Sequence, residues 1–268
     1  MTTLTRLRIA LGTFVAVEAE ACNEGAAEGA IGSAFAAVST VERLMHPTRP
    51  GSDLAALRAC PPRRALNVHD WTWEVLELCQ RLHRSSHGAF DPCLATAPGR
   101  MTDLTLLPGS RVVPRIETHV DLGGIAKGYA IDRALDALRG HQCSGGLVNA
   151  GGDMAAFGAR EHFILCRRAQ GAGIIVKLRD AALATSDTHN SARPSEHRGY
   201  YHGVRRDAPL SGHVTVTAAR AAIADALTKC VLSDAAGAPR FSRALLDEFG
   251  ATQIDYASEC QSQSQVEA

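Results

Sequence analysis

The chain has 268 residues, of which 46% are hydrophobic and 21% are charged, and this balance excludes an intrinsically disordered protein. Its 28 Lys and Arg residues equal its 28 Asp and Glu residues, so net charge provides no general affinity for nucleic acid. No apolar run approaches the roughly 20 residues that a membrane-spanning helix requires. We therefore expect a folded protein with no membrane span and no nucleic-acid partner.

The N-terminal part of the chain predicts one strand followed by two helices. Apolar side chains alternate over residues 8–19, which is typical of a strand. Apolar residues at helical spacing predict one amphipathic helix over 29–45 and a second that Asp70 caps and that ends before Gly88. Residues 92–115 are rich in Pro, Gly and Thr and predict a loop with short strands.

The rest of the chain predicts alternating strands and helices. Helices are predicted over 125–139, 220–232 and 239–249, and strands over 147–150, 162–166, 173–178, 181–185 and 213–217. This mixture of helices and antiparallel strands predicts an α+β fold. We expect a single domain over residues 1–255 and a disordered tail over 256–268.

Cysteine usage and the N-terminus bear on the compartment. None of the eight cysteines forms a C-x-x-C pair, and Cys79 and Cys230 lie in apolar helical patterns, where they are expected to be core residues. The first 21 residues lack the apolar core and cleavage site of a signal peptide. Both observations predict a cytoplasmic location and leave a periplasmic one open.

The first candidate site is a glycine pair before a helix. Gly123 and Gly124 follow a strand end at Asp121, and the helix that comes next carries Lys127 in its first turn. Backbone N–H groups at a helix start attract phosphate, and Lys127 adds a positive charge. A plain glycine turn with a solvated lysine fits the same pattern.

Three later segments carry further candidate groups. Asp153 follows a Gly-Gly turn, Ser186 ends an Ala-Thr-Ser sequence after a strand, and Asp225 lies among small residues on a helix. A carboxylate among small side chains suits Mg²⁺, and a hydroxyl after a strand can bind phosphate. Asp153 could instead bond its own backbone turn, and Asp225 could simply complement a helix dipole.

The order of these motifs resembles that of the ApbE family of FAD:protein FMN transferases. The most specific motifs are DLGGIAKGY at 121–129 and VNAGGD at 148–153. The other motifs that carry the resemblance lie at 11–13, 45–54, 88–92, 182–186 and 224–226.

The resemblance implies both a fold and a reaction. The fold is a T-fold-like α+β domain with an FAD cleft between the sheet and the helices. The reaction transfers the FMN moiety of FAD to a threonine hydroxyl of a partner protein, releases AMP and uses Mg²⁺.

The resemblance also implies a set of residues that bind FAD. Three of them line the flavin or the nucleotide, and those from Gly123 to Lys127 hold the diphosphate. The predicted set is Leu11, Thr48, Ala89, Phe90, Asp91, Asp121, Gly123, Gly124, Ala126, Lys127, Asp153, Ser186 and Lys229.

The implied magnesium ligands are the main-chain carbonyl of Ala126, the carboxylate of Asp225 and a threonine four residues beyond Asp225. That fourth position holds Lys229 in this chain. Thr228 comes one residue earlier, about 100° around a helix, so it could ligate only after a change of register. We hypothesise that the Lys229 ammonium partly replaces the charge of the metal.

The implied general base is a histidine that follows the Ala-Thr-Ser segment. His202 fits best and His213 is second, so His202 and Asp225 are the predicted catalytic residues. The motif after His202 lacks the usual acid and proline. That departure also fits a protein that binds FAD without transferring it, or an FAD diphosphatase that uses water as the nucleophile.

Overall fold

The computed structural model describes residues 1–93, 98–167, 173–187, 212–235 and 242–254. Its helices are α1 (Glu24–Leu44), α2 (Asp53–Ala59), α3 (Asp70–Ser85), α4 (Ala126–Gly140), α5 (Ala221–Ala235) and α6 (Ser242–Glu248), with a 3-10 turn over Met101–Asp103. Its strands are β1 (Thr2–Ala10), β2 (Thr13–Ala21), β3 (Leu66–Asn67), β4 (Leu104–Leu107), β5 (Arg111–Pro114), β6 (Gly145–Ala150), β7 (Asp153–Gly158), β8 (His162–Cys166), β9 (Ile174–Leu178), β10 (Ala181–Asp187), β11 (His213–Ala218) and β12 (Thr252–Gln253).

A large antiparallel sheet organises the described residues, in the order β1-β2-β6-β7-β10-β11-β12. The long helices α1, α4 and α5 pack against one face of this sheet and enclose the main core. The β8–β9 hairpin covers a smaller apolar cluster that includes Met154 and Leu183. A small sheet of β3, β5 and β4 stands apart from the large one. The predicted α+β class is confirmed.

The N-terminal strand is in fact a hairpin, so the prediction of one strand over 8–19 is wrong. Leu11 and Gly12 have positive φ angles of 54° and 70° and form a two-residue turn between Ala10 and Thr13, which pair with each other. Two consecutive residues with positive φ match the twist of a tight hairpin. The alternation of apolar residues continues through the turn and hides it in the sequence.

The predicted helix starts need two corrections. Helix α1 begins at Glu24, five residues before the predicted start, because the Asn23 side chain accepts a hydrogen bond from the Ala26 N–H at 2.9 Å. Helix α3 is capped by His69, whose Nδ1 accepts from the Trp71 N–H, and Asp70 is its first residue. Helix α2 is an element that the sequence did not predict. The core positions of Cys79 and Cys230 are confirmed.

Helices α4 and α5 approach each other very closely. A Cβ added at Gly128 would lie 2.3 Å from the carbonyl oxygen of Ala221, so glycine is required at this position. The carboxylate of Asp132 accepts hydrogen bonds from the N–H groups of Ala221 and Ala222 at 2.7 and 3.1 Å, and thereby caps α5 from α4. Burial raises the pKa of Asp132. This contact fixes the position of α5 relative to the start of α4.

The C-terminal tail predicted over 256–268 lies outside the described residues. Among the helices in the described ranges, none is both long enough and apolar enough to cross a bilayer.

Candidate functional site

Glycine turns and strand ends meet at one end of the large sheet. Gly151 and Gly152 have φ angles of 63° and 101° and turn the chain from β6 into β7, which begins at Asp153. The hairpin turn at Leu11 and Gly12 lies at the same end, since the Gly151 N–H donates to the Phe14 carbonyl. Antiparallel pairing brings the end of β10 and the start of β11 to this end as well.

The first ion pair of the site joins α4 to β7. Lys127 Nζ lies 2.7 Å from Asp153 Oδ2, and the other carboxylate oxygen accepts from the Thr185 N–H at 3.0 Å. Asp153 is only 2% exposed. Burial raises its pKa, the nearby Asp225 carboxylate raises it further, and Lys127 and Lys229 oppose the shift.

The second ion pair lies within α5. Lys229 Nζ contacts Asp225 Oδ1 and also donates to the Asp225 carbonyl oxygen at 3.0 Å. Asp225 Oδ2 accepts from the Gly128 N–H at 3.1 Å, which links α5 to α4. Asp225 is 0% exposed and Lys229 is 5% exposed. Two carboxylates and two ammonium groups therefore form one cluster, buried except for the partly exposed Lys127, which we call the charge cluster (Lys127, Asp153, Asp225 and Lys229).

Two buried hydroxyls adjoin the charge cluster. The Thr228 Oγ1 donates to the Asp225 carbonyl oxygen at 2.6 Å and lies 2.7 Å from Ser186 Oγ. The predicted residues Ser186, Asp225, Thr228 and Lys229 are thus brought together, although the sequence did not indicate that these two hydroxyls would bond each other.

Two of the predicted magnesium ligands, Asp225 and Thr228, do not fit a metal ion in this arrangement. Asp225 already uses both carboxylate oxygens and its carbonyl oxygen, and the only hydroxyl proton of Thr228 is donated to that carbonyl. Mg²⁺ requires near-octahedral oxygen ligands at about 2.0–2.1 Å. Within the described ranges, no group of three His, Cys, Asp or Glu side chains could hold a metal.

The start of α4 offers fewer phosphate donors than its sequence predicts. The N–H groups of Ile125 and Ala126 both donate to the Leu122 carbonyl, at 2.9 and 2.7 Å. The Gly123 N–H donates to Asp121 Oδ1 at 2.8 Å, so Asp121 forms a local turn. Gly124 is buried. The positive charge at the start of α4 therefore comes mainly from the Lys127 side chain, which is 28% exposed.

The predicted flavin segment packs beside the chain that leads to the glycine pair, where the predicted strand end is only an isolated bridge between Cys93 and Val120. The Pro92 carbonyl accepts from the Asp121 N–H at 2.8 Å. Phe90 is buried in the main core, and Ala89 beside it is half-buried. Asp91 Oδ1 accepts from the N–H groups of Cys93 and Met101 and shapes this loop.

Two predicted binding residues lie on surface turns, and the preferred base is not described. Leu11 is half-buried in its hairpin turn, and Thr48 is exposed in the loop after α1, where its N–H donates to His46 Nδ1. His202 lies outside the described residues. His213 pairs with Asp187, with its Nδ1 3.4 Å from Asp187 Oδ2. Neighbouring residues of a strand face opposite sides, so this pair faces away from Ser186.

The sequence interpretation missed Asp132 as the group that orients the site. This buried carboxylate caps α5, and α5 carries Asp225 and Lys229. A signal was present, because Arg220 precedes α5 where a local Ser, Thr, Asp or Asn cap would be expected. A helix start without a local cap indicates that another element supplies the acceptor.

Comparison with solved structures shows the fold. The apo flavinyl transferase ApbE of Pseudomonas stutzeri is 20% identical, with a TM-score of 0.77 over 94% of this chain and 90% of that chain. The flavin transferase ApbE from Vibrio cholerae is 17% identical, with a TM-score of 0.77 over 94% and 92%. The ApbE protein of Thermotoga maritima is 19% identical, with a TM-score of 0.78 over 97% and 99%.

Sequence comparison gives the family. A search of curated proteins found no match. The sequence pattern of the ApbE family matches residues 11–104 and 96–248, which together make up most of the chain. These matched ranges include every residue of the charge cluster. The chain therefore belongs to the ApbE family.

Proposed function

We propose that this protein is an FAD:protein FMN transferase. It would transfer the FMN moiety of FAD to a threonine hydroxyl of a partner protein and release AMP. Family membership supports the proposal, and so does the similarity to structures named as flavin transferases. The single observation that carries it is the charge cluster at the end of the sheet, where glycine turns allow a diphosphate to approach.

The chemistry requires that a diphosphate be held while a weak nucleophile attacks it. The threonine oxygen forms a bond to the phosphorus of the FMN half, and the bond from that phosphorus to the AMP oxygen breaks. The threonine proton passes to a base, for which we propose His202. Lys127 and Lys229 would offset the negative charge of the phosphoryl oxygens.

The remaining predicted residues keep their roles as proposals. Ala89 and Asp91 would line the flavin or nucleotide side of the cleft, and Gly123 the diphosphate side. Magnesium is implied by the resemblance but is not supported by the ligand set described above. A cytoplasmic location also stays a prediction.

Incubation with FAD and a threonine-bearing acceptor domain tests the proposal. We expect flavin fluorescence to remain on the acceptor in a denaturing gel, AMP to appear in equal amount, and an acceptor that has alanine at the threonine to stay unlabelled. Free FMN with AMP would instead identify an FAD diphosphatase. FAD binding without either product would identify a binding protein, and no FAD binding would refute all three functions.

A matched pair of lysine variants tests the site itself. Lys127→Gln removes the charge that lies 2.7 Å from Asp153, and it should weaken FAD binding by about 10-fold, the effect of one hydrogen bond to a charged group. Lys177→Gln removes an exposed charge on β9 that pairs with Glu161, and it should leave FAD affinity unchanged. Equal affinities of the two variants would place the FAD elsewhere.

A further inference from the structure

We propose that the Lys229 ammonium takes the place of a divalent cation in this site and makes FAD binding independent of Mg²⁺. The inference rests on the proposed binding of FAD at the charge cluster. It concerns which cation contacts the diphosphate. The site in this chain would use an ammonium where a metal-dependent site uses a metal ion.

The position of Lys229 gives the first argument. It lies four residues after Asp225 on α5, so the two side chains are on the same face, one helical turn apart. Its ammonium contacts two oxygens of Asp225, one from the carboxylate and one from the backbone. This is the place that a metal bound to Asp225 would need.

Saturation of the neighbouring oxygens gives the second argument. The Gly128 N–H holds the other carboxylate oxygen of Asp225, and the Thr228 hydroxyl bonds the Asp225 carbonyl and Ser186. A metal ion would have to displace the ammonium and at least one of these hydrogen bonds. It would then lie beside a buried cation on the same carboxylate, where like charges repel.

Charge balance gives the third argument. The charge cluster contains two carboxylates, Asp153 and Asp225, and two ammonium groups, Lys127 and Lys229. The two carboxylates therefore each have a positive partner without a bound metal ion. An ammonium has three N–H donors, and Lys229 directs two of them at Asp225 in the part of the chain that the structure describes. The third is suited to a phosphoryl oxygen of FAD.

Metal binding and FAD binding, measured separately, test the inference. We expect wild-type protein to show no Mn²⁺ binding at this site by electron paramagnetic resonance and calorimetry. Its dissociation constant for FAD should change less than about 2-fold between EDTA and saturating Mg²⁺. A change of that size is expected from salt screening of surface charges alone. Stoichiometric Mn²⁺ binding without FAD, or FAD affinity that falls about 10-fold in EDTA, would overturn the inference.

Three variants sharpen the test. Lys229→Thr should gain Mn²⁺ binding, lose about 10-fold in FAD affinity in EDTA and recover it with Mg²⁺. Lys229→Met keeps an unbranched side chain of nearly the same length but removes the charge, so it should lose affinity in both buffers. Lys177→Thr, the exposed control, should behave as wild type. Unchanged FAD affinity of folded Lys229→Thr in EDTA would refute the inference.

The two failures are distinguishable. If the wild type binds Mn²⁺ and needs Mg²⁺ for FAD, the inference fails while the transferase proposal stands. If no FAD binds in any buffer, the proposed function fails, and the inference fails with it. Should a Lys229 variant not fold, as judged by circular dichroism, the wild-type measurements alone decide.

Discussion

The close approach of α4 to α5 can be tested with Gly128→Ala. The added Cβ would lie 2.3 Å from the Ala221 carbonyl oxygen and 2.7 Å from the Ala222 nitrogen. Both are backbone atoms, so no side chain can rotate to relieve the clash. Raising the 2.3 Å contact to an ordinary 3.4 Å requires the two helices to separate by 1.1 Å.

The expected loss of unfolding free energy follows from this displacement. Overpacking of a core contact destabilises by about 1–3 kcal/mol. The same movement lengthens the hydrogen bond from the Gly128 N–H to Asp225 beyond its 3.1 Å, which adds about 1 kcal/mol. We therefore expect Gly128→Ala to lower the free energy of unfolding by about 2–4 kcal/mol and to weaken FAD binding, since Asp225 moves away from α4.

Gly140→Ala is the matched control, because it makes the same substitution at the last residue of the same helix. A Cβ at Gly140 meets no atom within 4 Å. Alanine there should be neutral or should stabilise by up to about 1 kcal/mol through helix propensity. Urea denaturation measures stability, and fluorescence titration measures FAD affinity. Equal stability of Gly128→Ala and Gly140→Ala would refute the helix contact as described.

Three further predictions concern buried groups. Burial raises the pKa of Asp153 in the folded state. The protonated carboxyl therefore contributes fully to stability below the ordinary pKa of 3.8, and this contribution is lost as pH rises through the folded-state pKa. Asp153→Asn should reduce this loss of unfolding free energy, measured by urea denaturation across acidic pH. Thr228→Val leaves Ser186 without its buried partner and should cost about 1–3 kcal/mol in the same assay, whereas no loss would contradict that bond. Burial raises the pKa of Cys230 to about 12, so a thiol reagent should label exposed Cys22 first and Cys230 only on unfolding; early labelling of Cys230 would contradict its burial.

Local patterns in the sequence predicted most of the secondary structure. The helix now assigned to α4 and the strands β6 and β8 to β11 match their predicted positions within a few residues, because apolar periodicity and glycine turns are local signals, whereas the sequence did not predict β7. Turn geometry was harder to predict. Leu11 adopts a positive φ that favours glycine or asparagine, so its residue type gave no indication of the hairpin.

The candidate site was predicted as separate residues and not as an arrangement. The sequence singled out Lys127, Asp153, Asp225 and Lys229 one by one through motif order. It could not predict that Lys127 pairs with Asp153, because that pair joins α4 to β7. It also could not predict that the two ion pairs adjoin each other, because that depends on the distance between α4 and α5. That distance is set by a glycine contact and by Asp132, which act between elements about 90 residues apart.

The large sequence separation between β2 and β6, which pair in the sheet, has a consequence for biosynthesis. Val15 pairs with Ala150, and the Gly128 N–H meets an acceptor 97 residues further along the chain. A nascent chain that has not yet released residue 229 from the ribosome lacks half of the charge cluster. Affinity for a diphosphate should therefore arise only after residue 229 has left the ribosome and the distant strands have paired, which is slow.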